Sequence, residues 1–185
     1  ARKTIYRAII YLEEVISPYI DVPFSDYEEK LLEISTFDAV QRYNLVKKMG
    51  LTINLLIEAY GENTKWKWSF VEIEGRFAAC AKNLFDLKKA AQELEPRAEF
   101  YETYVYHLRT IKRLLSQAAD RYREKYEVST NAYDDFKTAI AYLQALRRIL
   151  VLIGEREEAE QTKKKAEIWQ TKLEADQKKR DEDKK

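Results

Sequence analysis

The chain has 185 residues, 45% hydrophobic, 35% charged and 12% aromatic, with 33 Lys and Arg against 32 Asp and Glu. One Cys and one His exclude a disulfide framework, a Cys-rich zinc site and any metal site built on paired histidines, and the balanced charge argues against a nucleic-acid binder, which carries a basic excess. Four Gly and three Pro allow few turns, so the elements between them must be long, while no apolar run is long enough to span a membrane.

The chain opens Ala-Arg-Lys-Thr and moves at once into helix-like sequence, with no charged n-region before a short apolar run. The expectation is a cytosolic chain, or one that has already lost a presequence. Residues 4–17 form an amphipathic stretch, Ile5, Ile9, Leu12, Val15 and Ile16, stopped by Pro18. Pro18 and Pro23 bracket an extended link. Ser25-Asp26-Tyr27-Glu28 has the pattern of a capping box opening a short helix through Ile34. Residues 1–35 therefore read as an N-terminal helical arm.

Four apolar seams follow, each advancing by alternating steps of three and four, the spacing that stacks side chains on one helix face. The first reads Val46, Met49, Ile53, Leu56, Tyr60. The second reads Phe70, Ile73, Phe77, Cys80, Leu84, Leu87, Ala91, Leu94. The third is Tyr101, Tyr104, Leu108, Ile111, Leu115, Ala118, Tyr122, and the fourth is Phe136, Ala139, Leu143, Leu146, Leu150, Ile153. Gly61-Glu62-Asn63 can end the first helix in a left-handed cap. Pro96 suits the first turn of the third, and Ser129-Thr130-Asn131 offers N-caps for the fourth, with Asp134 and Asp135 at its positive start. The spacing predicts helices near 36–60, 66–94, 97–127 and 131–153, each about 35–45 Å long at ~1.5 Å per residue. Nothing alternates with the period of a strand. The predicted fold is all-α: an antiparallel up-down four-helix bundle over 36–154, flanked by the arm and by a charged C-terminal segment.

That segment, residues 155–185, holds ten basic and ten acidic residues. A thin row survives in it, Ala159, Thr162, Ala166, Trp169 and Leu173. Residues 155–174 read as a charged helix needing a surface for Trp169, and 176–185 as a solvated tail.

Each candidate site also has a reading in ordinary packing. His107, one position before the seam residue Leu108, reads as a surface or boundary histidine, without a nucleophile or carboxylate pattern to work with. Cys80, between Ala79 and Ala81 on a seam, reads as a small core residue. Trp66 and Trp68, interleaved with Lys65 and Lys67, read as caps over a core end before they read as a base-stacking patch. Thirteen tyrosines, concentrated on the third and fourth helices, suit boundary packing and docking surfaces equally. Basic residues recur along the third helix and reach the fourth. A candidate docking surface for an acidic protein partner comprises Trp66, Trp68, Tyr106, Arg109, Lys112, Arg113, Arg147, Arg148 and Trp169. No Gly-rich phosphate loop, nucleophile elbow or metal-ligand cluster appears, and the seams hold no convergent polar groups beyond Tyr hydroxyls and Cys80. Catalysis, a cofactor and a metal are therefore not expected.

Over residues 39–153 the sequence resembles the PsbQ-like extrinsic proteins of photosystem II. The similar points are Ala39-Val40-Gln41-Arg42, Trp66 or Trp68 at the junction of the first two helices, Arg76 followed by Ala78-Ala79, Asp86-Leu87-Lys88, Leu115 with Ala118-Ala119, and Ser129-Thr130-Asn131-Ala132 leading to Phe136. The longer third helix, the helical arm and the charged C-terminal extension depart from that pattern. The resemblance implies a lumenal four-helix bundle, peripheral to the thylakoid membrane, that helps retain calcium and chloride without binding manganese. A second likeness is to a tetratricopeptide-type hairpin, in which Leu143, Leu146, Leu150, Gly154, Ala159 and Ala166 fall at small and apolar positions, without the roughly 34-residue repeat such arrays require. The expectation is a non-catalytic subunit that binds and stabilises a larger complex, which the first resemblance implies is a membrane complex; the second likeness implies instead an adaptor gripping a protein or peptide.

Overall fold

A computed structural model describes residues 1–61 and 64–182. The fold is all-helical: among the described residues there are eight α-helices and no strand. They are α1 (Arg2–Val15), α2 (Phe24–Glu33), α3 (Ala39–Tyr60), α4 (Lys67–Asn83), α5 (Leu87–Glu93), α6 (Tyr101–Lys125), α7 (Tyr133–Leu152) and α8 (Arg156–Glu182), with a π-helical turn, Tyr126–Thr130, after α6. No helix is long and apolar enough to cross a membrane among these residues. The chain divides into two compact units, Ala1–Leu114 and Leu115–Lys185, with the division falling inside α6.

In the first unit α4 is the central rod. Phe70, Val71, Ile73, Gly75 and the unbroken run Phe77–Asn83 are all buried, too many for one stripe. α3 lies antiparallel to it, with Tyr60 edge-on to Phe70 at one end and Gly50 further along, where an added Cβ would stand 3.4 Å from the Phe77 ring. The first half of α6 is antiparallel as well: Tyr104 meets Phe85 and His107 meets Ala81. α1 runs parallel to α4 and buries Ile9, Leu12 and Glu13. The partners advance together along both helices, from Arg2 with Ser69 to Glu13 with Arg76 and Ser17 with Asn83. The arm is thus part of this unit's core and not an extension awaiting a foreign surface.

The extended link after α1 is pinned by side chains of α4. Asn83 Nδ2 donates to the Ser17 and Tyr19 carbonyls, both at 3.0 Å, and Lys82 Nζ donates to the Ile20 carbonyl at 3.1 Å while lying over the Tyr27 ring. Glu13 and Arg76 form a two-point ion pair, Nε to Oε1 at 2.7 Å and Nη2 to Oε2 at 2.6 Å. Arg76 Nη1 also donates to the Tyr6 hydroxyl, which donates to Glu72 at 3.0 Å.

In the second unit α8 folds back antiparallel on α7. Gly154, at φ +82°, takes the left-handed position. The Glu155 amide donates to the Leu150 carbonyl at 2.9 Å and the Gly154 amide to Val151 at 3.2 Å, the two bonds of a Schellman stop. The row Ala159, Thr162, Trp169 and Leu173 is buried, with Trp169 against Phe136 at 6.0 Å between ring centres. The second half of α6 is antiparallel to α7, where Tyr122 stacks on Tyr142 and Tyr126 on Phe136.

Several local expectations are corrected. The second seam does not continue to Leu94: α4 stops at Asn83, and Asp86 restarts the chain as α5 by accepting from the Lys88 and Lys89 amides at 3.1 Å. Ala91 is exposed, and Ala90 is the buried residue of that helix. The box at Ser25-Asp26 does not form. α2 starts at Phe24, and the Ser25 hydroxyl donates to its neighbour Asp26. The capping box belongs to Asp38 and Gln41, which open α3. Pro96 precedes α6 by several residues in a turn. Asn131 is not an N-cap: it takes the left-handed conformation at φ 47°, and its amide bonds back to Tyr126 to close the π-turn. Residues 176–182 are helical where a solvated tail was expected. Gly61 caps α3 at φ 76°, while its predicted companions Glu62 and Asn63 lie outside the described residues.

Candidate functional site

The expected docking residues fall into separate settings. Tyr106, Arg109 and Arg113 share one exposed stripe of α6, spaced three and seven residues on from Tyr106. Tyr106 is 47% exposed, stacks on Tyr43 of α3 at 6.4 Å and has the Arg109 guanidinium at 5.9 Å from its ring centre. Lys112 sits half-buried at the edge of that stripe. Trp66, 37% exposed, is covered by the Arg2 guanidinium at 4.1 Å and flanked by Lys65, while Trp68 is half-buried beneath Lys67. Trp66 closes the start of α4 against the arm. Arg147 and Arg148 are exposed on α7 in the second unit. Trp169 cannot dock anything, because it is 3% exposed in the α7–α8 core, with Arg123 and Lys165 over its faces.

His107 is the second correction. It is neither at the surface nor at a boundary, being 4% exposed. Its Nε2 lies 3.1 Å from the Ala81 carbonyl, an acceptor, so Nε2 carries the proton and Nδ1 is left as an acceptor. Burial holds the imidazole neutral and pulls its pKa from 6.5 down to about 4. Around it the break between α4 and α5 opens a small cavity of about 10 Å³, room for one water-sized group, lined by Arg42, Phe85, Asp86, Thr103, Tyr104 and His107. Arg42 is 4% exposed, and its Nε donates to the Phe37 carbonyl at 2.7 Å. Burial drives the Tyr104 hydroxyl up to about 12, so it remains a donor.

Periodicity carried a sign of Arg42 that the seam reading passed over: it stands four residues before Val46, one further step along the first seam, where a charged residue is out of place. Nothing in the linear order joins it to His107 or Tyr104.

A second concavity lies in the other unit. It is an open depression of about 450 Å³ beside the π-turn, with Tyr126, Glu127, Tyr133, Lys172, Asp176 and Arg180 on its walls. Its polar groups largely satisfy one another. Tyr126 Oη donates to Asp176 at 2.8 Å and Tyr133 Oη to the Asp176 carbonyl at 3.1 Å. Lys172 and Arg123 both donate to Glu127, which holds that carboxyl below its ordinary range. Cys80 is buried, and its thiol is pushed up to about 12, chiefly by that burial. This thiol is no nucleophile.

The fold and its sites describe a helical protein with an exposed aromatic–basic stripe on α6. The chain belongs to the TP0443 family, which it matches over residues 1–177, from the arm through most of α8. No curated protein and no solved structure matches it.

Proposed function

We propose that this protein is a non-catalytic helical subunit that docks on an acidic protein surface through the α6 stripe Tyr106–Arg109–Arg113 and so stabilises a larger complex. The observation that carries the reading is Tyr106: a large aromatic ring, half exposed, held in place by the Tyr43 stack and set among arginines. Tyr and Arg are the residues that anchor protein interfaces, because they combine apolar area with hydrogen-bonding reach at little entropic cost. An up-down four-helix arrangement of residues 36–154 belongs to this reading, and the burial of most seam positions in α4, α6 and α7 supports it.

The experiment is size-exclusion chromatography of a native extract at low salt. The chain should elute within a larger assembly and leave it as salt rises, since exposed charge contacts are screened. The Arg109→Glu/Arg113→Glu variant should elute alone at every salt concentration. A wild-type chain that already runs at monomer mass in low salt removes the proposal. A photosystem partner on the lumenal face of the thylakoid is the narrower form of the reading. It draws on the motif likeness, and cofractionation with thylakoid membranes, released by a salt wash, is its test.

The helical hairpin formed by α7 and α8 favours a second reading, a tetratricopeptide-like adaptor for a protein or peptide. That reading requires a single peptide to bind tightly to the isolated chain.

A further inference from the structure

Helix α3 is apolar along most of its length, yet it buries Arg42, Val46, Gly50 and Ile53 alone, all on its inward side. Directly opposite, Leu51 and Leu55 are 58% and 55% exposed. They stand four residues apart and so share one outward face. Lys48 extends that face by a step of three towards the helix start, and Glu58 by a step of three towards its end. Both are exposed, and among the described residues neither has a charged partner. One flank of the row carries Leu45, Thr52 and Ala59, and the other carries Lys47, Asn54 and Gly61. The Thr52 hydroxyl donates to the Lys48 carbonyl at 2.8 Å, within its own helix. Water therefore wets a leucine pair bounded by opposite charges.

An occupant of this face must be apolar in the middle, negative opposite Lys48 and positive opposite Glu58. The face itself, turned end for end, meets that description. We propose that α3 pairs antiparallel with α3 of a second copy of this chain, forming a dimer with two-fold symmetry. Leu51 of each copy packs on Leu55 of the other in two central layers, and Lys48 meets Glu58 at both ends. The flanks agree with the same register. Leu45 falls beside Ala59 and Lys47 beside Gly61, while Thr52 and Asn54 each fall beside their own copies, so no like charges meet. A parallel pairing would set Lys48 on Lys48 and Glu58 on Glu58. The seam is short, and it falls below the roughly 1,200–2,000 Å² of stable interfaces. The dimer is therefore weak, forming between about 10 µM and about 1 mM and absent at the dilution of a cell extract. It uses none of Tyr106, Arg109 and Arg113, and it stands or falls apart from the docking reading.

The test is sedimentation equilibrium of the full chain across that concentration range at low salt, which should show a reversible monomer–dimer equilibrium. Leu51→Gln/Leu55→Gln, which keeps good helix formers at both positions, should leave a monomer with unchanged helicity by circular dichroism. Lys48→Glu and Glu58→Lys should each weaken the dimer about tenfold, because each sets like charges at both ends. The double reversal Lys48→Glu/Glu58→Lys should restore it, and an equimolar mixture of the two single variants should dimerise as wild type does. A chain that stays monomeric up to about 1 mM, or a dimer that survives Leu51→Gln/Leu55→Gln, overturns the proposal. Single reversals without effect, or a double reversal no stronger than the singles, overturn the antiparallel register and the proposal with it. The Arg109→Glu/Arg113→Glu variant should dimerise normally, and a monomer there would place the interface on α6 instead.

Discussion

Where α8 lies on α7, the buried contact is an apolar row, Trp169 against Phe136 with Leu173 and Ala159 on either side, and polar contacts such as Tyr133 with Asp176 lie at its far end. Where α1 lies on α4, the contact includes a buried carboxylate and guanidinium, a tyrosine hydroxyl and an amide that grips two carbonyls. Both interfaces attach a terminal helix to the rest of its unit. Their chemistry differs with how the chain brings them together. α7 and α8 are joined by a tight turn at Gly154, which sets their register, so apolar area suffices. α1 and α4 meet across 63 to 70 residues of chain, and nothing local fixes which turn of one helix meets which turn of the other. Directional polar pairs supply that register, at the cost of desolvating charges.

Several substitutions and one pH measurement sharpen the contrast. Trp169→Ala should have the largest effect, about 3–5 kcal/mol lost in urea unfolding, since it removes a large side chain from a packed row. If the loss is below about 1 kcal/mol, the apolar account of the hairpin is wrong. Glu13→Ala leaves part-buried Arg76 with only the longer contact to Glu72 and the Tyr6 hydroxyl, and should cost about 2–3 kcal/mol, less than a fully buried pair because the guanidinium is in partial contact with water. The double variant Glu13→Leu/Arg76→Met should recover most of that loss, yet show broadened α1 resonances if the ion pair sets register.

A pH measurement comes next in size. His107 is held neutral in the folded chain, with its pKa lowered to about 4 from 6.5. The unfolded chain therefore takes up the proton first as pH falls. The contribution is fully present above about 6.5 and drains away between there and about 4. Stability should be about 2 kcal/mol lower at pH 5 than at pH 7 on this account, and His107→Gln should show a flatter profile. Smallest is Gly154→Ala, expected to cost about 1 kcal/mol because an alanine is strained at φ +82°. A neutral result there would mean that the turn is not what sets the hairpin.

The same contrast explains what the linear order revealed. The hairpin's row, Ala159 to Leu173, was legible because its period is local; the reversal at Gly154 was not, because a glycine there suits a kink as well as a turn. Most seam positions of α4, α6 and α7 were legible for the same reason. The end of α4 was not, because the three–four alternation runs on through Leu87 and Leu94 even though Asp86 interrupts the backbone; a strong N-cap outweighs an apolar pattern where the helix has already covered its partner. Trp169 was misplaced because its row shows that it needs a surface but not whether that surface is α7 or a partner. Glu13, Asn83 and Arg42 were missed altogether. Each is polar, each lies beside or on an apolar row, and each finds its role in residues or a cavity that sequence adjacency does not indicate.

The parallel pairing of α1 with α4 has a consequence for synthesis. The first helix leaves the ribosome some sixty residues before Arg76 and Asn83 exist to receive it, a wait of several seconds at translation rates of roughly 5–20 residues per second. During that interval Ile9, Leu12 and Ile16 have no native cover. A segment made early thus waits for partners made late, and a chaperone that shields nascent apolar helices would find a client sequence here.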